Sequence, residues 1–85
     1  MGEYSKALSN YERSLEIRKI ALPQNHPGLA TSYNNIGEVY RNMGENSKAL
    51  SYFEKAQVIL KRSLPPNHPH NVAAKQWIEI VKKKL

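Results

Sequence analysis

The chain contains no cysteine. That absence removes a disulfide framework, a thiolate metal site and a cysteine nucleophile in one step. Glycine is sparse: the four residues at 2, 28, 37 and 44 are too scattered to form a phosphate-cradling loop. No apolar run approaches the roughly 18 residues of a membrane span, and no basic stretch leads into the apolar core of a secretory leader. The expectation is a cytoplasmic protein with no membrane role. Strand-like alternation of apolar and polar residues is missing too, which points to an all-α fold. With 85 residues, doubly wound sheets and (β/α)₈ barrels are excluded by length.

Acidic residues are also few. Seven Asp and Glu stand against 13 Lys and Arg, for a net charge of +6. Half of that excess is the run Lys82-Lys83-Lys84, and the remainder is dispersed among acids such as Glu12 and Glu16. The basic residues form no continuous stripe, so the charge does not read as a nucleic-acid surface.

What the chain does have is a repeat. Residues 1–8, MGEYSKAL, return as MGENSKAL at 43–50, and Leu22-Pro23 with Asn25-His26-Pro27 returns as Leu64-Pro65 with Asn67-His68-Pro69. Aligning 1–42 with 43–84 gives 18 identities, 16 of them in the first 27 columns. The unit is duplicated, and its last third has diverged.

Each unit holds two helical patterns. Ala30, Tyr33, Ile36, Gly37 and Tyr40 recur at three- and four-residue steps, as do Ala49, Phe53, Ala56 and Leu60. Gly44 suits a helix end that needs positive φ. The proline-rich link at 65–69 stops the second pattern, and Asn67 or His68 can cap the next helix with Pro69 in its first turn. Four helices are expected, at about 3–22, 28–42, 45–63 and 70–84. Gly37 and Ala49 are small enough for a close helix pair, with Tyr33, Tyr40 and Phe53 filling the space around it.

Tyr33-x₂-Ile36-Gly37-x₂-Tyr40, followed by Gly44, Ala49-x₃-Phe53 and Ala56, resembles the tetratricopeptide repeat signature. The 42-residue period and the Asn-His-Pro link resemble its kinesin light chain and nephrocystin subtype. The resemblance implies antiparallel helix-turn-helix units stacked as a fragment of a right-handed α-solenoid. Residues 1–22 would be the second helix of a truncated repeat, 28–64 one complete repeat and 70–85 a C-terminal capping helix.

In that frame Ala7, Tyr11 and Ser14 match Ala49, Phe53 and Ala56, the face expected to meet a preceding helix. With nothing before it, this face is expected to self-associate at high concentration, as a homodimer or by a swapped helix exchange. Leu8, Leu15 and Leu22 should pack on the 28–42 helix. At the other end Lys75, Glu79 and Lys82 replace Tyr33, Gly37 and Tyr40, as a cap with a wet outer side would require. Trp77, Ile78, Val81 and Leu85 should keep the inner side dry. The chain is thus expected to begin inside an array and to end with it.

Chemistry is sparse. His26, His68 and His70 lie beside prolines at repeated positions without a third ligand of suitable spacing, so a helix-start role is expected and no metal. Glu16, Glu38 and Glu54 lie in helix patterns as solvated residues, and no catalytic residue, enzyme activity or cofactor is assigned. The resemblance instead implies a protein or peptide partner held on a concave face by Thr31, Asn34, Glu38 and Arg41, with Gln76 and Lys83 in matching columns alongside Ala73 and Ile80. Asn34 leads, because its amide both donates to and accepts from a peptide backbone. A carboxylate clamp needs Lys and Arg where this chain has Asn34 and Glu38, so that subclass is not supported. The alternative reading is structural: a stacking and capping end of a longer solenoid, with ligand bound by upstream repeats.

Overall fold

The computed structural model describes residues 2–85. It contains α1 (Gly2–Ala21), α2 (Pro27–Asn42), α3 (Asn46–Ser63) and α4 (Pro69–Lys82), with no strand among the described residues. Each helix packs on its neighbours in sequence, most extensively α2 on α3. The four form a slab of 37 × 32 × 16 Å. No helix is long and apolar enough to cross a membrane.

The short α2–α3 connection follows from Gly44, whose φ of +82° is the only positive value among the described residues. The Glu45 amide donates to the Tyr40 carbonyl at 2.9 Å and the Gly44 amide to that of Arg41 at 3.0 Å, which closes α2 with a Schellman motif. The two proline links adopt one shared turn. The His26 amide donates to the Pro23 carbonyl, and the His68 amide to that of Pro65, both at 3.0 Å. Each histidine is then the helix cap: Nδ1 of His26 accepts from the Gly28 amide at 2.9 Å, and Nδ1 of His68 from the His70 amide at 3.1 Å. Between Asn67 and His68 as candidate caps for α4, the geometry selects His68. An imidazole accepting at Nδ1 here does the work of an Asp or Asn cap.

Different polar ties lock the two links. Arg18 on α1 donates to the Gly28 carbonyl at 2.9 Å and to Ser32 Oγ at 3.0 Å. In the second unit the direction reverses. Asn71 on α4 reaches back with Nδ2 to the carbonyls of Leu60, Leu64 and Pro65 at 3.1, 3.3 and 2.8 Å, covering the open C-terminal end of α3. Ser63 at the end of α3 donates to the Asn25 carbonyl, which ties the second link to the first.

The core is one apolar layer between the helices. Leu15, Leu29, Ile36, Ile59 and Leu60 form its larger part, with Leu8, Tyr33, Tyr52 and Leu64 packed against it. Leu22 reaches the start of α2, where a Cβ on Gly28 would lie 3.1 Å from its Cδ1. The leucine column of α1 therefore packs on α2 as expected. A second part joins Ala49, Phe53, Ile78 and Val81, with Trp77 beside them.

Phe53 meets the preceding helix as expected, its ring lying under Gly37 of α2, and it also stacks on Trp77 of α4, centroids 5.9 Å apart at 13°. One expectation needs correction. Leu85 does not join the dry side. Regular helix stops at Lys82, and the amides of Lys84 and Leu85 bond three residues back, at 3.0 and 3.2 Å. That tighter turn takes Leu85 off the α3-facing column and leaves it 63% exposed. Ile78 and Val81 are buried and Lys75, Glu79 and Lys82 are exposed, as the charge pattern requires.

Gly37 is the critical spacing. A Cβ placed there would stand 2.8 and 2.9 Å from two Phe53 ring carbons. Helix propensity favours Gly37→Ala by about 1 kcal/mol, but overpacking a closed site costs about 1–3 kcal/mol, and Phe53 is pinned by Trp77. Urea unfolding should show Gly37→Ala destabilised by about 1 kcal/mol net. In a Phe53→Leu background the same substitution should be neutral or stabilising.

Candidate partner-binding surface

Thr31, Asn34, Glu38 and Arg41 run along one face of α2, away from the side carrying Tyr33, Ile36 and Tyr40. Thr31 is exposed; Asn34, Glu38 and Arg41 are half-buried. The Thr31 hydroxyl is turned back on its own helix, donating to the Pro27 carbonyl at a long 3.4 Å. Asn34 Oδ1 is enclosed and has no hydrogen-bond partner, so this side chain holds unused accepting capacity. Gln76 and Lys83 are exposed, as are Ala73 and Ile80.

Arg41 is committed differently. Its guanidinium lies 4.5 Å from the centroid of the Trp77 ring, a cation–π contact that bridges α2 to α4. Its Nε is enclosed without a partner. Arg41 thus joins the two helices that carry the candidate face. Sequence spacing alone could not assign this role, because Trp77 aligns with Asn35 of the first unit and the repeat offers no precedent for it.

The α1 face shows the expected asymmetry. Ala7 and Ser14 are half-buried where Ala49 and Ala56 are fully enclosed, and Tyr11 is 37% exposed where Phe53 is 0%. Ile17 extends the contrast: it is 62% exposed, whereas its counterpart Ile59 is 8% exposed. The same columns are covered in α3 by α2 and α4 and uncovered in α1.

Tyr52 was not singled out by the repeat, since its counterpart is Asn10. It proves to be a hub. Its ring stacks on Tyr40, centroids 5.6 Å apart, and tilts against Tyr33 at 6.2 Å. Lys55 lies 4.9 Å from the centre of the Tyr52 ring, and Lys48 lies 5.5 Å from that of Tyr40. The available signal was local: Tyr52 stands three residues after Ala49 and four before Ala56. Asn71, a buried polar residue in the column of Leu29, was missed for the same reason.

His26 and His68 are caps, and among the described residues no three His, Asp or Glu side chains converge as a metal site would require. Small residues at the helix crossing, three successive helix–helix contacts and a link turn used twice define a helical-repeat scaffold. A family model described as tetratricopeptide repeat matches residues 1–62, and the chain belongs to the tetratricopeptide repeat family. The matched span ends one residue before the end of α3 and leaves out α4. Members of this family generally mediate protein–protein interaction as non-catalytic scaffolds. A search of curated proteins found no match.

Burial raises the Tyr52 phenol above its ordinary 10.0, with Tyr40 and Glu12 adding to the shift. A pKa higher in the folded than in the unfolded state stabilises the fold below the unfolded value. That contribution is lost as pH rises through the folded value. Urea unfolding between about pH 9 and about pH 11 should show stability falling more in the parent chain than in Tyr52→Phe.

Proposed function

We propose that the chain is a non-catalytic interaction module whose α2 and α4 carry a groove for an extended protein or peptide segment. Asn34 is the central contact, with Thr31, Glu38, Gln76 and Lys83 as polar neighbours and Arg41 as the brace beneath them. The observation that carries this reading is the enclosed, unpartnered Oδ1 of Asn34. A buried acceptor without a donor is costly, and turning the Asn34 amide outward lets the N–H of an extended backbone supply one. The 42-residue period and the Asn-His-Pro link support a kinesin light chain-like mode, in which asparagines grip a peptide main chain.

A second reading rests on the exposure of Ile17. The division into a half repeat at 1–22, a full repeat at 28–64 and a cap at 70–85 makes α1 the place where another first-type helix stacks. In an array that helix comes from an upstream repeat. For this chain alone a second copy takes its place, through Ala7, Tyr11, Ser14 and Ile17.

Peptides selected on the chain from a random displayed library should lose about tenfold in affinity against Asn34→Ala, the worth of one well-made polar contact. Unchanged affinity across the selected set counts against the groove. Sedimentation should show a dimer that forms as concentration rises toward the millimolar range and that Ile17→Lys abolishes. A monomer at every concentration ends the stacking proposal.

A further inference from the structure

The channel between α1 and α3 lies on neither of these surfaces. Two cavities, of about 430 and 490 Å³, meet there at Lys19 and Tyr33. None of Thr31, Asn34, Glu38 and Arg41 lines either one. We infer that this channel is a docking site for an acidic protein segment carrying apolar anchor side chains.

Its floor is apolar and aromatic: Leu15, Leu29, Tyr33, Tyr52 and Ile59. Val58, at the edge, is 51% exposed. Its rim is basic. Arg13, Lys19, Lys55 and Arg62 line the channel and are exposed, against the two carboxylates of Glu12 and Glu16. Glu16 sits 3.9 Å from Lys19, an exposed pair that neutralises little. Among the described residues Arg13, Lys55 and Arg62 make no salt bridge. A concave strip with an apolar base and a cationic margin complements an apolar residue flanked by Asp and Glu.

The second unit provides an internal control. The cavity between α3 and α4 is lined by Gln57, Lys61, Pro66, Asn71 and Lys75. These are the counterparts, 42 residues on, of Leu15, Lys19, Gln24, Leu29 and Tyr33. The lysine is kept, while Leu15, Leu29 and Tyr33 give way to Gln57, Asn71 and Lys75. The aromatic floor and the rim of four cations thus belong to the α1–α3 channel, although the α3–α4 cavity keeps apolar surface of its own.

Basic residues beside tyrosines also suit single-stranded nucleic acid, which binds by stacking bases on free ring faces. Here the rings are engaged. Tyr52 stacks on Tyr40 and leans on Tyr33, and Lys55 lies over both Tyr52 and Tyr33, at 4.9 and 5.9 Å. Glu12 and Glu16 would face the phosphates. The acidic protein segment is the occupant that these contacts favour.

The test is a titration of the ¹⁵N-labelled chain at low ionic strength with three probes. They are a short peptide of Asp and Glu around a Leu and a Phe, its twin with Lys and Arg for the acids, and an oligouridylate. The acidic peptide should move the amides of Lys19, Val58 and Arg62, leaving those of Asn34 and Gln76 in place. Lys19→Glu with Arg62→Glu should weaken it about tenfold, since two attractions are lost and reversal adds repulsion. Arg13→Glu with Lys55→Glu should act in the same direction, and unchanged helicity by circular dichroism confirms that both variants fold. Asn34→Ala should leave this binding intact, which separates it from the α2 groove. The inference is overturned by equal binding of the basic twin, by charge reversal without effect, by shifts confined to α2 and α4, or by no binding. Tighter binding of the oligouridylate at the same amides also overturns it, in favour of a nucleic-acid surface.

Discussion

The structure depends on one close approach, that of the Phe53 ring to the backbone of Gly37. With no Cβ at Gly37, the ring lies directly on α2, and Phe53 is 0% exposed. Trp77 of α4 stacks on Phe53, and Arg41, one turn beyond Gly37, lies over Trp77. The contacts form a closed circuit that begins on α2, passes through α3 and α4, and returns to α2. Three helices are fixed relative to one another by three side chains and one missing methyl. Aromatic stacking and a cation–π contact supply energy beyond the buried area, but the spacing is set by glycine.

Helix α1 lies outside that circuit, and its character follows from this. Tyr11 occupies the column of Phe53 yet finds no glycine to rest on, so it is 37% exposed. What holds α1 is its leucine column and the hydrogen bonds of Arg18 to the start of α2. Its remaining flank is bare in the positions that α3 buries. A helical repeat makes half of each surface for a neighbour, and Ile17 stays 62% exposed on that flank.

The polar groups divide into those that serve the fold and those left over. His26, His68, Arg18, Ser63 and the amide nitrogen of Asn71 are spent on caps and links. Asn34 retains an accepting oxygen, and the basic rim of the α1–α3 channel lacks enough carboxylates to balance it. The two leftovers lie on different sides of α2. A scaffold of four helices thus offers two chemically distinct surfaces, one of amides and one of cations over an apolar base.

All four helices, their punctuation and the small residue at the crossing were legible in the sequence, because they rest on local rules: three- and four-residue periodicity, proline's missing amide, glycine's access to positive φ, and a 42-residue repeat that states each rule twice. The uncovered columns of α1 could be read from the repeat in the same way. Only the tertiary structure decided which side chains meet across helices. Arg41 and Trp77, Tyr52 and its two tyrosines, and Asn71 under the end of α3 all involve columns where the two units differ, so periodicity is silent there. The single turn by which α4 stops short of Leu85 belongs to the same class. Periodicity assigns a residue to a face; what that face touches depends on how helices cross, and that is settled by volumes brought together from distant parts of the chain.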